Sequence, residues 1–311
     1  MMPGSCRKRT TVAGLLTALA LGGPAPALAN CGSAVCLFNT NWDVQGVWTE
    51  TGLRFELRYE QIKQDELRAG TKKVGPDAVT DEFVPLQTTD RNFVASLDWQ
   101  IDQRWGVAAT LPVVRRTHDQ LVRDPGGDFQ ETLAFDRTGD ARVVGRYQFY
   151  ADADIDRGMR TAGVNFGVKL PTGADDLTFP SGERAEPGLQ PGTGSTDLGL
   201  GGYFRLTQPG GRFAWFGQAF WQTALAWQDG FRPGDKLRLD LGLRYQLNRR
   251  VALLAQVNTL WADHDSGVRV EVENTGSTLV ALSPGVSVTI TRKLQVFGFY
   301  QQPIYQYLNG V

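Results

Sequence analysis

The chain has 311 residues, with 32 Lys and Arg against 33 Asp and Glu and a formal net charge of −1. That near balance, without a basic stripe, points to no nucleic-acid partner. Hydrophobic residues make up 41 % of the chain. No run among them reaches the ~18 residues of a transmembrane helix, which excludes a helical inner-membrane protein.

The chain opens with an export signal. Arg7, Lys8 and Arg9 form a basic n-region, an apolar run follows from Val12 to Leu21, and Ala27-Leu28-Ala29 is a small-residue cleavage site. This layout predicts a cleaved signal peptide over residues 1–29. Its removal leaves 29 basic against 33 acidic side chains, a formal charge of −4.

Of three cysteines, Cys6 leaves with the signal, while Cys31 and Cys36 stay at the new N-terminus. An oxidising periplasm makes a local disulfide between them the default. Lipidation of Cys31 lacks a small residue at Asn30. A metal site lacks further ligands, since His118 and His264 lie far along the chain. No metal or cofactor is expected. Residues 30–50 form either an ordered periplasmic segment or a plug in the lumen, and 51–311 form the body of the protein.

From residue 51 onward the apolar residues recur with a period of two. Leu53, Phe55, Leu57 and Tyr59 alternate with Arg54, Glu56, Arg58 and Glu60. Phe93, Ala95, Leu97 and Trp99 alternate with Val94, Ser96, Asp98 and Gln100. Weaker alternation marks segments near 104–114, 140–150, 161–170, 196–207 and 212–228. It returns strongly in Leu237, Leu239, Leu241, Leu243, Tyr245 and Leu247, then in 250–262, 277–290 and 293–302. Each of these eleven segments has one oily and one polar face as a strand. Many run to ten residues or more, longer than usual in soluble sheets and matched to a tilted membrane crossing.

Two further patterns point to a membrane barrel. Trp215 and Trp227 share a face of 212–228 and would lie roughly 28 Å apart across a membrane at ~45° tilt, near the spacing of two aromatic girdles. Short turns at Asp102-Gln103, Thr207 to Gly211, Asn248-Arg249 and Thr291-Arg292 alternate with long polar connections near 61–90, 115–138, 171–195, 228–234 and 263–276. Short periplasmic turns and long outer loops produce this alternation. The expected fold is therefore an all-β, antiparallel transmembrane barrel in the outer membrane. Single-chain bacterial barrels normally have an even number of strands. Twelve are expected, with the last missing from this sequence. The alternatives are a short closing strand at 303–311 or one segment miscounted.

Several stretches carry a family likeness: Cys31-Gly32-Ser33-Ala34-Val35-Cys36 with Asn39-Thr40-Asn41-Trp42-Asp43 and Gly46-Val47-Trp48-Thr49-Glu50; Gly139-Asp140-Ala141-Arg142; Gly167-Val168-Lys169-Leu170-Pro171-Thr172-Gly173; and Leu189-Gln190-Pro191-Gly192-Thr193-Gly194-Ser195-Thr196-Asp197. Together they resemble the outer-membrane family named for the MetA pathway of phenol degradation. The resemblance implies a barrel channel that passes small, aromatic molecules, and it supplies no agreed binding residues. It also implies one more strand beyond Asn309-Gly310-Val311.

The expected lumen carries Arg54, Arg58, Arg142, Arg146, Lys169, Arg205, Arg238 and Arg244 against Glu56, Glu60, Asp98 and Asp240. A basic surplus inside low-dielectric walls favours anionic solutes. The plainer reading is that these charges pair across strands and pack a narrow interior.

Enzymatic readings find little support. His118 and His264 sit in expected loops without a Ser arranged beside them, and Asp263-His264-Asp265 would point its side chains apart on an extended chain. Gly192-Thr193-Gly194 lacks the Lys and helix of a phosphate loop. Gly199, Gly201 and Gly202 relieve crowding in a curved sheet. The expected partners are outer-membrane lipid, the barrel-assembly machinery and a small-molecule solute. Competing readings are a structural or adhesive barrel and a soluble periplasmic sandwich.

Overall fold

The computed structural model describes residues 51–79, 81–154 and 156–310. The expected signal peptide, the Cys31–Cys36 pair and the segment 30–50 lie outside the described residues.

Strands follow one another with little else between them. They are β1 (Gly52–Gln64), β2 (Leu67–Ala69), β3 (Lys72–Val74), β4 (Phe83–Gln100), β5 (Trp105–Val122) and β6 (Phe129–Thr138). Next come β7 (Ala141–Asp154), β8 (Gly158–Leu170), β9 (Asp197–Thr207), β10 (Phe213–Ala224), β11 (Phe231–Arg232) and β12 (Lys236–Gln246). The chain continues with β13 (Val251–Ala262), β14 (Ser266–Gly267), β15 (Ser277–Thr289), β16 (Gln295–Phe299) and β17 (Gln302–Leu308).

The main sheet is an antiparallel meander in the order β1-β4-β5-β7-β8-β9-β10-β12-β13-β15-β16. β5 pairs β7 up to Thr110↔Arg142 and β6 from Val113↔Thr138 onward, so β6 and β7 are one crossing interrupted at Gly139-Asp140. β15 likewise pairs both β16 and β17, which form one crossing interrupted at Tyr300-Gln301. The described residues thus supply eleven crossings, the number expected from alternation.

Some boundaries differ from expectation. Residues 302–308 extend the eleventh crossing instead of closing the sheet on β1. Among the described residues no ladder joins β1 to β16 or β17. The two edges meet at one end, where Gly70 N donates to Leu308 O at 2.9 Å and Leu308 N to Gly70 O at 3.2 Å. Expected loop 115–138 is mostly a hairpin, paired from Val113↔Thr138 to Val122↔Phe129. Its alternation was masked because both faces are polar, with Arg115, Thr117 and Asp119 on one side and Arg116, His118 and Gln120 on the other. β10 stops at Ala224, so Trp227 lies beyond the strand and does not mark a second girdle on it.

The polarity of the sheet is inverted relative to a soluble domain. Leu53, Phe55 and Leu57 are 65, 70 and 64 % exposed, while Asn92, Gln256 and Asn258 are at most 2 % exposed. Water penalises an apolar belt of this size, but hydrocarbon does not. Aromatics pair along the belt: Tyr59 with Phe93 at 5.1 Å, Trp105 with Tyr147 at 4.6 Å and Phe213 with Tyr245 at 4.8 Å. Apolar clusters inside lie at the long-loop end, in Leu67, Val79 and Val84 and again in Leu133, Phe179, Ala185 and Leu189.

The short turns share one device. Asp102 Oδ1 accepts from the backbone N–H of Arg104 and Trp105, both at 2.7 Å. Asn248 Oδ1 accepts from Arg250 N at 2.9 Å and Val251 N at 3.0 Å. Thr291 Oγ1 accepts from Lys293 N at 3.1 Å. Such side chains satisfy turn amides that no strand partner can reach. The two hydrogen bonds and the Arg104 charge hold the Asp102 carboxyl below its usual range.

Candidate functional site

All twelve charged residues singled out in the sequence lie on the sheet face opposite the oily belt, and most are engaged. Asp98 accepts from Arg54 Nη1 at 3.3 Å and from Arg146 Nη2 at 2.9 Å. Arg58 bridges Glu56 at 3.2 Å and Glu60 at 2.6 Å on its own strand. Arg205 sits 5.3 Å over the Tyr203 ring, Arg244 bonds Gln246, and Asn258 donates to Asp240 at 2.7 Å. Arg238 is buried and engaged. Arg142 makes no ion pair or hydrogen bond among the described residues.

Lys169 is the deepest of the set. Its Nζ lies 2.9 Å from Asp140 Oδ2 and 3.3 Å from Asp197 Oδ1, and its side chain is 2 % exposed. Asp140 also accepts from Gly173 N at 3.1 Å and Thr193 N at 3.0 Å. Asp197 accepts from Ser195 Oγ and Gln222 Nε2, each at 2.6 Å. Buried carboxylates this fully bonded are held rigidly.

Asp140 and Asp197 were not counted among the inner charges in the sequence. With them, Arg54, Arg58, Arg142, Arg146 and Lys169 face Glu56, Glu60, Asp98, Asp140 and Asp197, a balanced wall. The basic surplus persists on β9 and β12, where Arg205, Arg238 and Arg244 stand against Asp240. Alternation hid Asp140 because it sits at the break between β6 and β7.

Three of the family-like stretches converge here. Gly139-Asp140, Lys169 to Gly173, and Gly192 to Ser195 form one clamp. The backbones touch, since a Cβ on Gly173 would lie 2.8 Å from Gly192 Cα and one on Gly139 would lie 3.0 Å from Pro191 O. Glycine is required where two chains approach this closely. The clamp fixes both ends of loop 171–195.

The rest of that loop is also held. Arg116, 1 % exposed, donates to both Asp90 oxygens at 2.6 and 3.2 Å and to Gly188 O at 2.9 Å. Phe179, Ala185 and Leu189 pack on Leu133, with Phe135 beside them. Gln190 donates to Leu177 O at 2.9 Å and Ala185 O at 2.8 Å. On the other side, Arg269 in loop 263–276 donates to Asp175 O at 3.0 Å. Sequence reading found none of these contacts, because each joins residues far apart in the chain. Glu186 touches water yet is walled in by protein, and that burial, then the Glu271 and Asp81 charges, pushes its carboxyl above the usual range.

The histidines serve packing. His118 Nδ1 lies 2.7 Å from Thr88 Oγ1, and its ring meets Phe179 edge-on at 6.1 Å. His264 Nδ1 lies 2.8 Å from Val272 O. Among the described residues neither ring bonds a carboxylate, and no group of three His, Cys, Asp or Glu is placed to hold a metal.

No protein-family model matches the chain, and no curated protein matches it. Its likeness is to solved structures. An outer membrane channel from Pseudomonas putida F1 aligns with a TM-score of 0.60 and 13 % identity, covering 86 % of this chain and 94 % of that one. The fold is that of an outer-membrane β-barrel. A Pseudomonas aeruginosa FadL homologue aligns at a TM-score of 0.37 with 12 % identity over 83 % of this chain and 72 % of that one, too distant to equate the folds. The barrel is what the resemblance to the phenol-degradation family implies. No helix among the described residues is long and apolar enough to cross a membrane.

Proposed function

We propose that this protein is an outer-membrane channel for small solutes, exported through its N-terminal signal and inserted into outer-membrane lipid by the barrel-assembly machinery. One observation carries the reading: a continuous sheet whose outer face is oily and whose inner face holds charged and amide side chains. That inversion is stable only around an aqueous or polar interior. The surplus of Arg205, Arg238 and Arg244 over Asp240 favours anionic solutes, since a field between low-dielectric walls is strong. The resemblance adds aromatic molecules as a class.

A structural or adhesive barrel without transport is favoured by one feature, the firmly held loop 171–195. Planar-bilayer recording separates the two. A channel gives discrete conductance steps with a modest anion preference. Silent membranes, with the folded barrel demonstrably inserted, would remove the transport reading.

A further inference from the structure

Loop 171–195 is folded back onto the long-loop end of the sheet. Its ends are fixed by Asp140, which binds Gly173 N and Thr193 N. Its middle is fixed to the β4–β5 wall, where Arg116 spends one guanidinium edge on Asp90 and its remaining Nη1 on Gly188 O. From the far side, Arg269 reaches Asp175. Hairpin β8–β9 and loop 263–276, which follows β13, have β10 and β12 between them in the sheet. The loop is therefore held from two sides of the opening, and Leu189, Gln190, Pro191 and Gly192 are buried, which is unusual for a surface loop.

We propose that loop 171–195 is the size filter of the channel: a fixed bar across the outer entrance that sets which solutes fit past it. The inference rests on the channel reading above. Held at three places by satisfied polar groups and one apolar cluster, the loop has no low-cost way to swing clear. A small solute must pass beside it, and a large one is excluded by its backbone.

The geometry offers a clean test. Because Gly173 and Gly192 already touch, deleting residues 174–191 joins two neighbours and leaves Lys169, Asp140 and Thr193 in place. Conductance in planar bilayers and entry of polyethylene glycols of graded size into liposomes are measured for the full chain and the deletion. The deletion should at least double the conductance and admit larger polymers. A silent full chain beside a conducting deletion would make the loop a seal instead of a filter and would overturn both readings. An unchanged size limit in two conducting proteins would overturn it and leave the channel reading standing. Silence from both would overturn both. Should the deletion fail to fold, Leu189→Gly with Phe179→Gly frees the middle of the loop while keeping the clamp. That variant should widen the limit to a smaller degree, and no change would again count against the filter.

Discussion

Lys169 Nζ lies 2.9 Å from Asp140 Oδ2, between side chains only 2 and 6 % exposed. The pair ties the wall of the barrel to a loop that would otherwise hang free. Removing the ammonium leaves Asp140 and Asp197 buried without their shared cation. Lys169→Met should therefore destabilise the barrel by about 3–5 kcal/mol, measured by urea unfolding in detergent. A loss well under ~1 kcal/mol, as for an exposed pair, would show that the clamp is dispensable.

Inner glycines act as seats for aromatic rings. A Cβ on Gly242 would collide with the Phe216 ring, which is 3 % exposed and has nowhere to move. Gly242→Ala should cost about 1–3 kcal/mol from overpacking. Phe216→Leu in the same chain should recover part of that loss, and a double-mutant cycle would read the coupling. Gly199 and Gly201 stand in the same relation to Phe220, giving a physical cause for the glycines noted in the sequence.

Acidification should seat the loop more firmly. Glu186 has its folded-state pKa raised, by burial first and by Glu271 and Asp81 after it. A raised acid binds its proton more tightly folded than unfolded, so stability is gained as pH falls through the folded value and is withheld above it. The unfolding free energy in detergent should therefore gain a contribution from Glu186 between neutrality and the ordinary carboxylate range of about 4. Glu186→Gln should flatten that part of the profile. An identical profile in the variant would place the pH response elsewhere.

Selectivity should follow local balance, not the number of arginines. On the wall from β1 to Asp197 at the start of β9 the charges cancel, so Arg58→Gln combined with Glu60→Gln should leave the reversal potential in a salt gradient nearly unchanged. Arg238→Gln with Arg244→Gln removes cations from the wall that has an excess and should reduce the anion preference. Equal shifts from both doubles would refute the division of the lumen into two walls.

Much of the fold was legible in the sequence because a membrane barrel writes its pattern locally. Side chains alternate along each strand, so Leu53 to Glu60 and Leu237 to Leu247 reveal their two faces without any partner. The connection lengths reveal the two ends. Where both faces are polar the pattern disappears, which is why the hairpin from Val113↔Thr138 to Val122↔Phe129 reads as a loop in the sequence. Where the strand breaks, phase is lost, and Asp140 went uncounted.

The sequence by itself determined the eleven crossings, their membrane-facing side and most of the inner charges, since each depends on residues within about ten positions of one another. Only the tertiary structure decided which charges cancel, what Lys169 is for, and where loop 171–195 lies. Those depend on Asp140 meeting Gly173 and Thr193, Arg116 meeting Gly188, and Arg269 meeting Asp175. Contacts of that kind are fixed by the curling of the sheet across many strands, and no local period in the chain records them.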